Sequence, residues 1–235
     1  AQKVTEDAMR MACETVAGAT SGSDGVLHTN GTPLTSQRLR TMIDTFLLEQ
    51  NFFNPPCIVA GGSDGGDCHE LGSGELFTEQ PVIIDIFPLD KSSMYNGDCT
   101  RTVVHGNVPD EIIRMHAAVA EAKQSATSII KAGVAGEEVH LETIRVLKKH
   151  GYVEGLPKEN DPPTFCSMPH GTGHGIGLDV HEPPLLDRNG AVLLAGDVVT
   201  IEPGLYSHAL GGVRIEDMVV VTEVGCENFN SLPEG

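Results

Sequence analysis

Two acids stand where acids are costly. Asp85 interrupts the apolar run Pro81-Val-Ile-Ile-Asp-Ile-Phe87, and Glu202 closes Val198-Val-Thr-Ile201 ahead of Pro203. A lone ionised carboxylate among such neighbours needs a cation or a full set of hydrogen bonds. Each has a partner in a second strand-like run: Asp98 lies 13 residues after Asp85, and Glu216 lies 14 after Glu202. Between the pairs runs Pro169-His170-Gly-Thr-Gly-His174-Gly-Ile-Gly-Leu-Asp-Val-His181-Glu182, with three histidines and four glycines. The glycines permit close backbone approach to a ligand. The spacing is not the HExxH of a zinc-binding helix, and no lysine follows as a phosphate-cradling loop would require.

Four carboxylates with one imidazole suit two hard or borderline divalent ions better than one zinc. Two dications ~3.5 Å apart repel by roughly 19 kcal/mol at an effective dielectric of 20, so acids shared between them are the natural remedy. Such a pair can acidify a water and polarise a carbonyl, which is hydrolytic chemistry.

The elements that must deliver these groups follow from periodicity. Helical stripes occupy 3–17, 36–49, about 110–132, and 137–150. In the second, Leu39, Met42, Ile43, Phe46 and Leu47 share a face behind Ser36 as N-cap; in the third, Ile112, Ile113, His116, Val119 and Ala120 point inward. The Gly/Ser/Thr-rich stretch 18–35 reads as a loop. Strands are expected at 57–60, 81–87, 98–105, 197–202 and 212–222, so each half of the chain holds a hairpin with one acid per strand. Alternation puts Asp98, Thr100 and Thr102 on one face, and Arg214, Glu216 and Met218 on another. Thr100 and Arg214 can then support Asp98 and Glu216 in one site. Asp217 and Asp90 read as surface or turn acids.

The chain as a whole limits the alternatives. Its 235 residues fit one domain with an ample core. A net charge of −18, no Trp and 4% aromatics exclude a nucleic-acid binder, which needs a cationic face. The six cysteines form no CxxC pair, which points to reduced thiols in the cytoplasm. No apolar run approaches the ~20 residues that cross a bilayer, and Glu6, Asp7, Arg10 and Glu14 rule out a signal-peptide core.

The ordered set Asp85, Asp98-Cys-Thr100-Arg101-Thr102, His170-Gly-Thr-Gly-His174, His181-Glu182, Glu202-Pro-Gly-Leu-Tyr and Arg214-Ile-Glu216-Asp resembles the pita-bread metallopeptidases. That family comprises methionine aminopeptidases, Xaa-Pro aminopeptidases and prolidases, and the last two motifs are similar to the Xaa-Pro branch. The resemblance implies an α/β (α+β) fold with two pseudo-symmetric αββ halves around a curved antiparallel sheet, and one catalytic domain over 1–235. It implies two divalent ions (Mn, Co, Zn or Fe) held by Asp85, Asp98, His174, Glu202 and Glu216, with Asp98 and Glu216 shared. His69, His181 and Glu202 would be catalytic, His69 and His181 would hold the peptide substrate, and His170, Arg214 and Thr100 would support them. The reaction implied is cleavage of an N-terminal, Xaa-Pro peptide bond by a metal-bridging hydroxide. Methionine aminopeptidase is the alternative, and a non-catalytic binding protein of the same fold is another. The branch carries an N-terminal domain that often supports dimerisation and is absent here, so a homodimer is left open. The segment after Phe87 holds a short insertion relative to that branch, which makes Asp90 a rival to Asp85.

Overall fold

The computed structural model describes residues 1–234. The first half consists of α1 (Gln2–Ala17), α2 (Ser36–Glu49) and an antiparallel sheet of β1 (Ile58–Gly61), β2 (Pro81–Ile86) and β3 (Cys99–Val104), with β2 central. The apolar run around Asp85 is explained by burial of both faces of β2. Val82, Ile84 and Ile86 pack on Ala8, Met9 and Ala12 of α1 and on Leu39, Ile43 and Leu47 of α2. Ile83, one residue out of phase, joins Ile58, Ala60 and Tyr206 on the opposite face, which is also the face of Asp85.

The second half repeats the plan with α3 (Asp110–Ile129) and α4 (Gly136–Lys149) over two sheets. The short strands β4 (Ser167–Met168) and β5 (Gly173–Gly175) precede β6 (Glu182–Leu186) and β7 (Val198–Ile201). Four more follow: β8 (Gly204–Ser207), β9 (Gly211–Arg214), β10 (Asp217–Val221) and β11 (Cys226–Asn228). One sheet runs β6-β5-β7-β10-β11; the other is β9-β8-β4, extended by Val153–Glu154. The mixed α/β architecture with paired helices and hairpins is the one expected. None of the described helices is long and apolar enough to cross a membrane.

The halves meet along β3. Glu216 N donates to Thr100 O (3.0 Å), and Thr102 Oγ1 both donates to Arg214 O and accepts from Arg214 N, each at 3.0 Å. This seam alters the expected strand 212–222. The chain leaves one sheet after Arg214 and enters the other at Asp217, because the Glu216 amide is engaged across the seam rather than in a ladder.

Other expectations change too. Thr35, not Ser36, caps α2, its hydroxyl accepting from Arg38 N at 3.1 Å. The buried face of α3 takes in Ile112 and Val119, as expected, with Met115, Ala118 and Ala122, but leaves Ile113 52% exposed, because Ile113 falls outside the stripe spaced three and four residues from Ile112. Stretch 18–35 contains a small three-stranded ribbon, Thr20–Ser21, Leu27–Thr29 and Thr32–Pro33.

Asp217 is the sharpest correction. It is buried, not superficial, and accepts from Arg101 Nη2 (2.8 Å) and Lys123 Nζ, both buried, and from Asn228 Nδ2 (2.9 Å). Burial raises its carboxyl, but Lys123 and Arg101 outweigh burial and hold it below the usual range. Removing one partner of a buried ion pair costs about 3–5 kcal/mol, so Asp217→Ala should lower the unfolding free energy measured in urea by an amount of that order. A carboxyl depressed on folding stabilises above its unfolded pKa of ~3.9, and the contribution is lost as pH falls through the lower folded value. Wild-type stability should therefore drop more steeply than that of Asp217→Asn between about pH 5 and 3; parallel curves would contradict the depressed pKa.

Candidate metal centre

Asp85 points from within the β2 ladder into the cavity, whereas the other three acids stand just outside their strands. Asp85 lies near the end of β2, opposite Ile58 and Thr100. Asp98 stands just before β3, and its backbone is gripped on both sides by one side chain of α1. Gln2 Nε2 donates to Asp98 O (2.6 Å), and Asp98 N donates to Gln2 Oε1 (2.9 Å). Glu202 follows β7 directly, its N–H on Thr172 O at 2.8 Å. Glu216 occupies the crossing between β9 and β10.

His174 sits at a register shift in the β5–β6 pairing, and such bulges re-aim a side chain. The flanking glycines are required by close approach: a Cβ at Gly173 would lie 2.0 Å from Thr200 O, and one at Gly175 would lie 2.5 Å from Pro183 O. The His174 N–H donates to Thr200 Oγ1 (3.1 Å), which in turn donates to Glu202 Oε1 (3.2 Å). His174 Nδ1 donates to the carbonyl of Gly175 (3.0 Å), turning Nε2 toward the acids.

These groups converge. Ligand atoms of Asp98, His174 and Glu216 all lie within 4.8 Å of one another. His174 Nε2 is 3.2 Å from Glu202 Oε1 and 3.9 Å from Asp98 Oδ2. Thr100 Oγ1 donates to Glu216 Oε2 (2.7 Å), and Arg214 Nη2 donates to Asp85 Oδ2 (2.7 Å). Among the described residues, Asp85 Oδ1 is buried without a hydrogen-bond partner. All five expected ligands line one cavity of about 370 Å³, together with His69, His170, His181 and Arg214. An orphaned carboxylate oxygen amid four acids and an imidazole fits the hard-to-borderline cations expected from the sequence.

The electrostatics report the crowding. Burial, then the charges of neighbouring acids, push Asp98 and Glu216 well above the usual carboxylate range. Burial also raises Asp85, against the pull of Arg214. Burial opposes the charged form of Glu202, but the His174 hydrogen bond and charge take it down to about 2. Burial likewise opposes the His174 cation, yet Glu202 and Glu216 lift it to about 9.

Among the supporting residues, Thr100 and Arg214 contact the acids directly. His170 reaches them through Tyr206, which donates to His170 Nε2 and accepts from Arg214 Nη1, both at 2.8 Å. Burial keeps His170 below its usual pKa and hence neutral, so it can accept that bond. His181 approaches His174 with ring centres 4.3 Å apart, and burial followed by the His174 charge lowers its pKa. His69 is exposed on the cavity wall, Nδ1 3.6 Å from Cys68 Sγ. Asp90 lies apart, half-buried in the short strand Leu89–Asp90 that pairs with Phe52–Phe53, where Ser92 N and Ser93 Oγ donate to it. Gln2, Thr200 and Tyr206 escaped the sequence reading. Tyr206 stood in the quoted Glu202-Pro-Gly-Leu-Tyr motif without a role, whereas nothing in the sequence marked Gln2.

Comparison with known proteins agrees with this architecture. The model of metallopeptidase family M24 matches residues 1–223. The Xaa-Pro dipeptidase of Pyrococcus furiosus is 33% identical over 189 residues, 78% of this chain and 50% of that protein. The Xaa-Pro dipeptidase of Lactobacillus helveticus is 35% identical over 176 residues, 73% of this chain and 44% of its own length. The X-Pro aminopeptidase structure from Thermotoga maritima superposes with a TM-score of 0.82 at 26% identity, covering 100% of this chain and 59% of that one. The chain thus spans about half the length of the curated relatives it matches.

A metal ion can take the His174 nitrogen only after its proton leaves, and the group holds that proton up to about pH 9. Raised Asp98 and Glu216 add protons to be displaced. Titration with Mn²⁺ or Zn²⁺ at pH 7, in two buffers of different ionisation enthalpy, should therefore record proton release. Affinity should weaken as pH falls from about 9. Binding without proton release would show that the ions do not use these groups.

Proposed function

Because the chain belongs to metallopeptidase family M24, in its Xaa-Pro dipeptidase and aminopeptidase branch, we propose that it is a two-metal aminopeptidase removing the first residue of peptides with proline second. Residues 1–235 would act as one catalytic domain. The observation that carries this reading is the gathering of Asp85, Asp98, His174, Glu202 and Glu216 on one cavity, with Asp85 Oδ1 left unpaired. These five would hold the ions, Asp98 and Glu216 serving both. When bound, the ion pair supplies an acidified water and polarises the scissile carbonyl.

The protein's own groups divide the remaining work. Arg214 fixes one oxygen of Asp85 and leaves the other for a cation. The Gly175 carbonyl holds His174 Nδ1 and commits Nε2 to the metal. His181, held toward the neutral form, donates a hydrogen bond to the substrate carbonyl as negative charge develops there, and His69, lining the same cavity, holds the peptide. Support for the proline preference comes from the Xaa-Pro names of the relatives and from the Glu202-Pro-Gly-Leu-Tyr and Arg214-Ile-Glu216-Asp motifs.

A panel of di- and tripeptides, with proline or alanine second and methionine or another residue first, tests the reading with Mn²⁺, Co²⁺, Zn²⁺ and Fe²⁺ supplied in turn. Xaa-Pro peptides should turn over fastest. Preference for Met-Ala peptides would make it a methionine aminopeptidase, and silence with every metal a binding protein. Within the active enzyme, His181→Ala should lose roughly 10²–10³ in turnover while keeping its metal content. His174→Ala should lose metal affinity. Equal metal loss in both variants would place His181 among the ligands.

A further inference from the structure

We propose that Asn96 is a positioning residue for His181, fastening the turn that carries this histidine to the loop of the first hairpin. The inference rests on the role given to His181 above. Among the described residues no protein hydrogen bond holds the His181 ring, whose neighbour is the imidazole of His174. Its place is therefore set by the backbone between Ile176 and His181. That segment has little burial to anchor it: Leu178 is 64% exposed, and Asp179 and His181 are also exposed. Its ties to the second half are the Ile176 N–H on Val198 O at 3.0 Å, and local bonds from Gly177 N to Asp179 O and from Asp179 N to Glu182 Oε2.

The first half reaches across with Asn96. Its side-chain Nδ2 donates to Gly177 O and to Leu178 O, both at 3.0 Å, and its backbone N–H donates to Gly177 O at 2.9 Å. The amide is buried, and Asn96 bridges to Leu89 at the base of its own loop, where Gly97 N also donates to Pro88 O at 2.9 Å. Two N–H donors on one sp² nitrogen meeting consecutive carbonyls form a clamp that no carboxylate or hydroxyl of similar size reproduces. Phe87 precedes the loop and Val180 follows the clamped turn, and both line the cavity beside His181. Losing the clamp would free the turn that aims the His181 donor while leaving the five ligands, which are bound by other contacts, in place.

The test compares wild type, Asn96→Ala, His181→Ala and the double variant on whichever peptide wild type cleaves best. Asn96→Ala should lower kcat roughly tenfold, part of the value of an aimed donor, with metal content and KM nearly unchanged. In the His181→Ala background the same substitution should cost nothing further, because groups acting as a unit are not additive. A full additional loss there, or an unaltered kcat in the single variant, overturns the proposal. A second measurement needs no turnover, so it stands even if no peptide is cleaved. In the metal-free protein the His181 Hε1 NMR signal, assigned with His181→Ala, should move or broaden in Asn96→Ala while those of His28 and His116 stay. An unmoved His181 signal overturns the proposal. If Asn96→Ala does not fold, Asn96→Ser is judged by the same two measurements.

Discussion

The constraint on which the rest of this structure depends is the mutual repulsion of four carboxylates held in one cavity away from bulk water. Asp85, Asp98, Glu202 and Glu216 would drive one another apart, or take up protons, without the groups arranged around them. Each acid has a different support. Arg214 pairs with Asp85, Gln2 grips the backbone of Asp98, His174 and Thr200 bind Glu202, and Thr100 binds Glu216. The supports come from α1, β3, β5, β7 and β9, so the cavity ties together elements from the whole chain. The seam bonds between Thr100, Thr102 and the Arg214–Glu216 crossing serve both the fold and the acids.

How much of this was legible in the sequence depends on whether a residue announces itself against its neighbours. Asp85 and Glu202 did so because each stands alone in an apolar run, and the paired spacing with Asp98 and Glu216 exposed the two hairpins. Parity along a strand put Thr100 on the face that meets the cavity, and there its hydroxyl donates to Glu216 rather than to Asp98. The same rule misjudged Asp217. Alternation assumed an unbroken strand, but the chain changes sheets at Ile215–Glu216, and the residue out of phase with Glu216 faces Arg101 and Lys123 rather than water. Gln2 and Asn96 were invisible for another reason. Amide side chains that bind distant backbone leave no local pattern, and their partners lie 96 and 81 residues away.

The inward face of α3 illustrates a further limit. Apolar bulk marked Ile112 and Ile113 equally, yet only Ile112 is buried. From Ile112 the buried stripe continues through Met115, Ala118, Val119 and Ala122 at helical spacing, which leaves Ile113 outside it. Hydrophobic periodicity located the helix, and the phase of its buried stripe separates two neighbours of equal apolarity.

The two glycines beside His174 have a consequence for reading mutational data. A saturation scan would score Gly173 and Gly175 as intolerant, and their position next to the His174 imidazole would invite an assignment to chemistry. Their intolerance has a steric origin, since any β-carbon there collides with the main chain of Thr200 or of Glu182 and Pro183. In a library sorted by soluble yield these positions would fall with the core of the protein. In one sorted by turnover they would be indistinguishable from the cavity acids, so only the two selections together would separate architecture from reactivity.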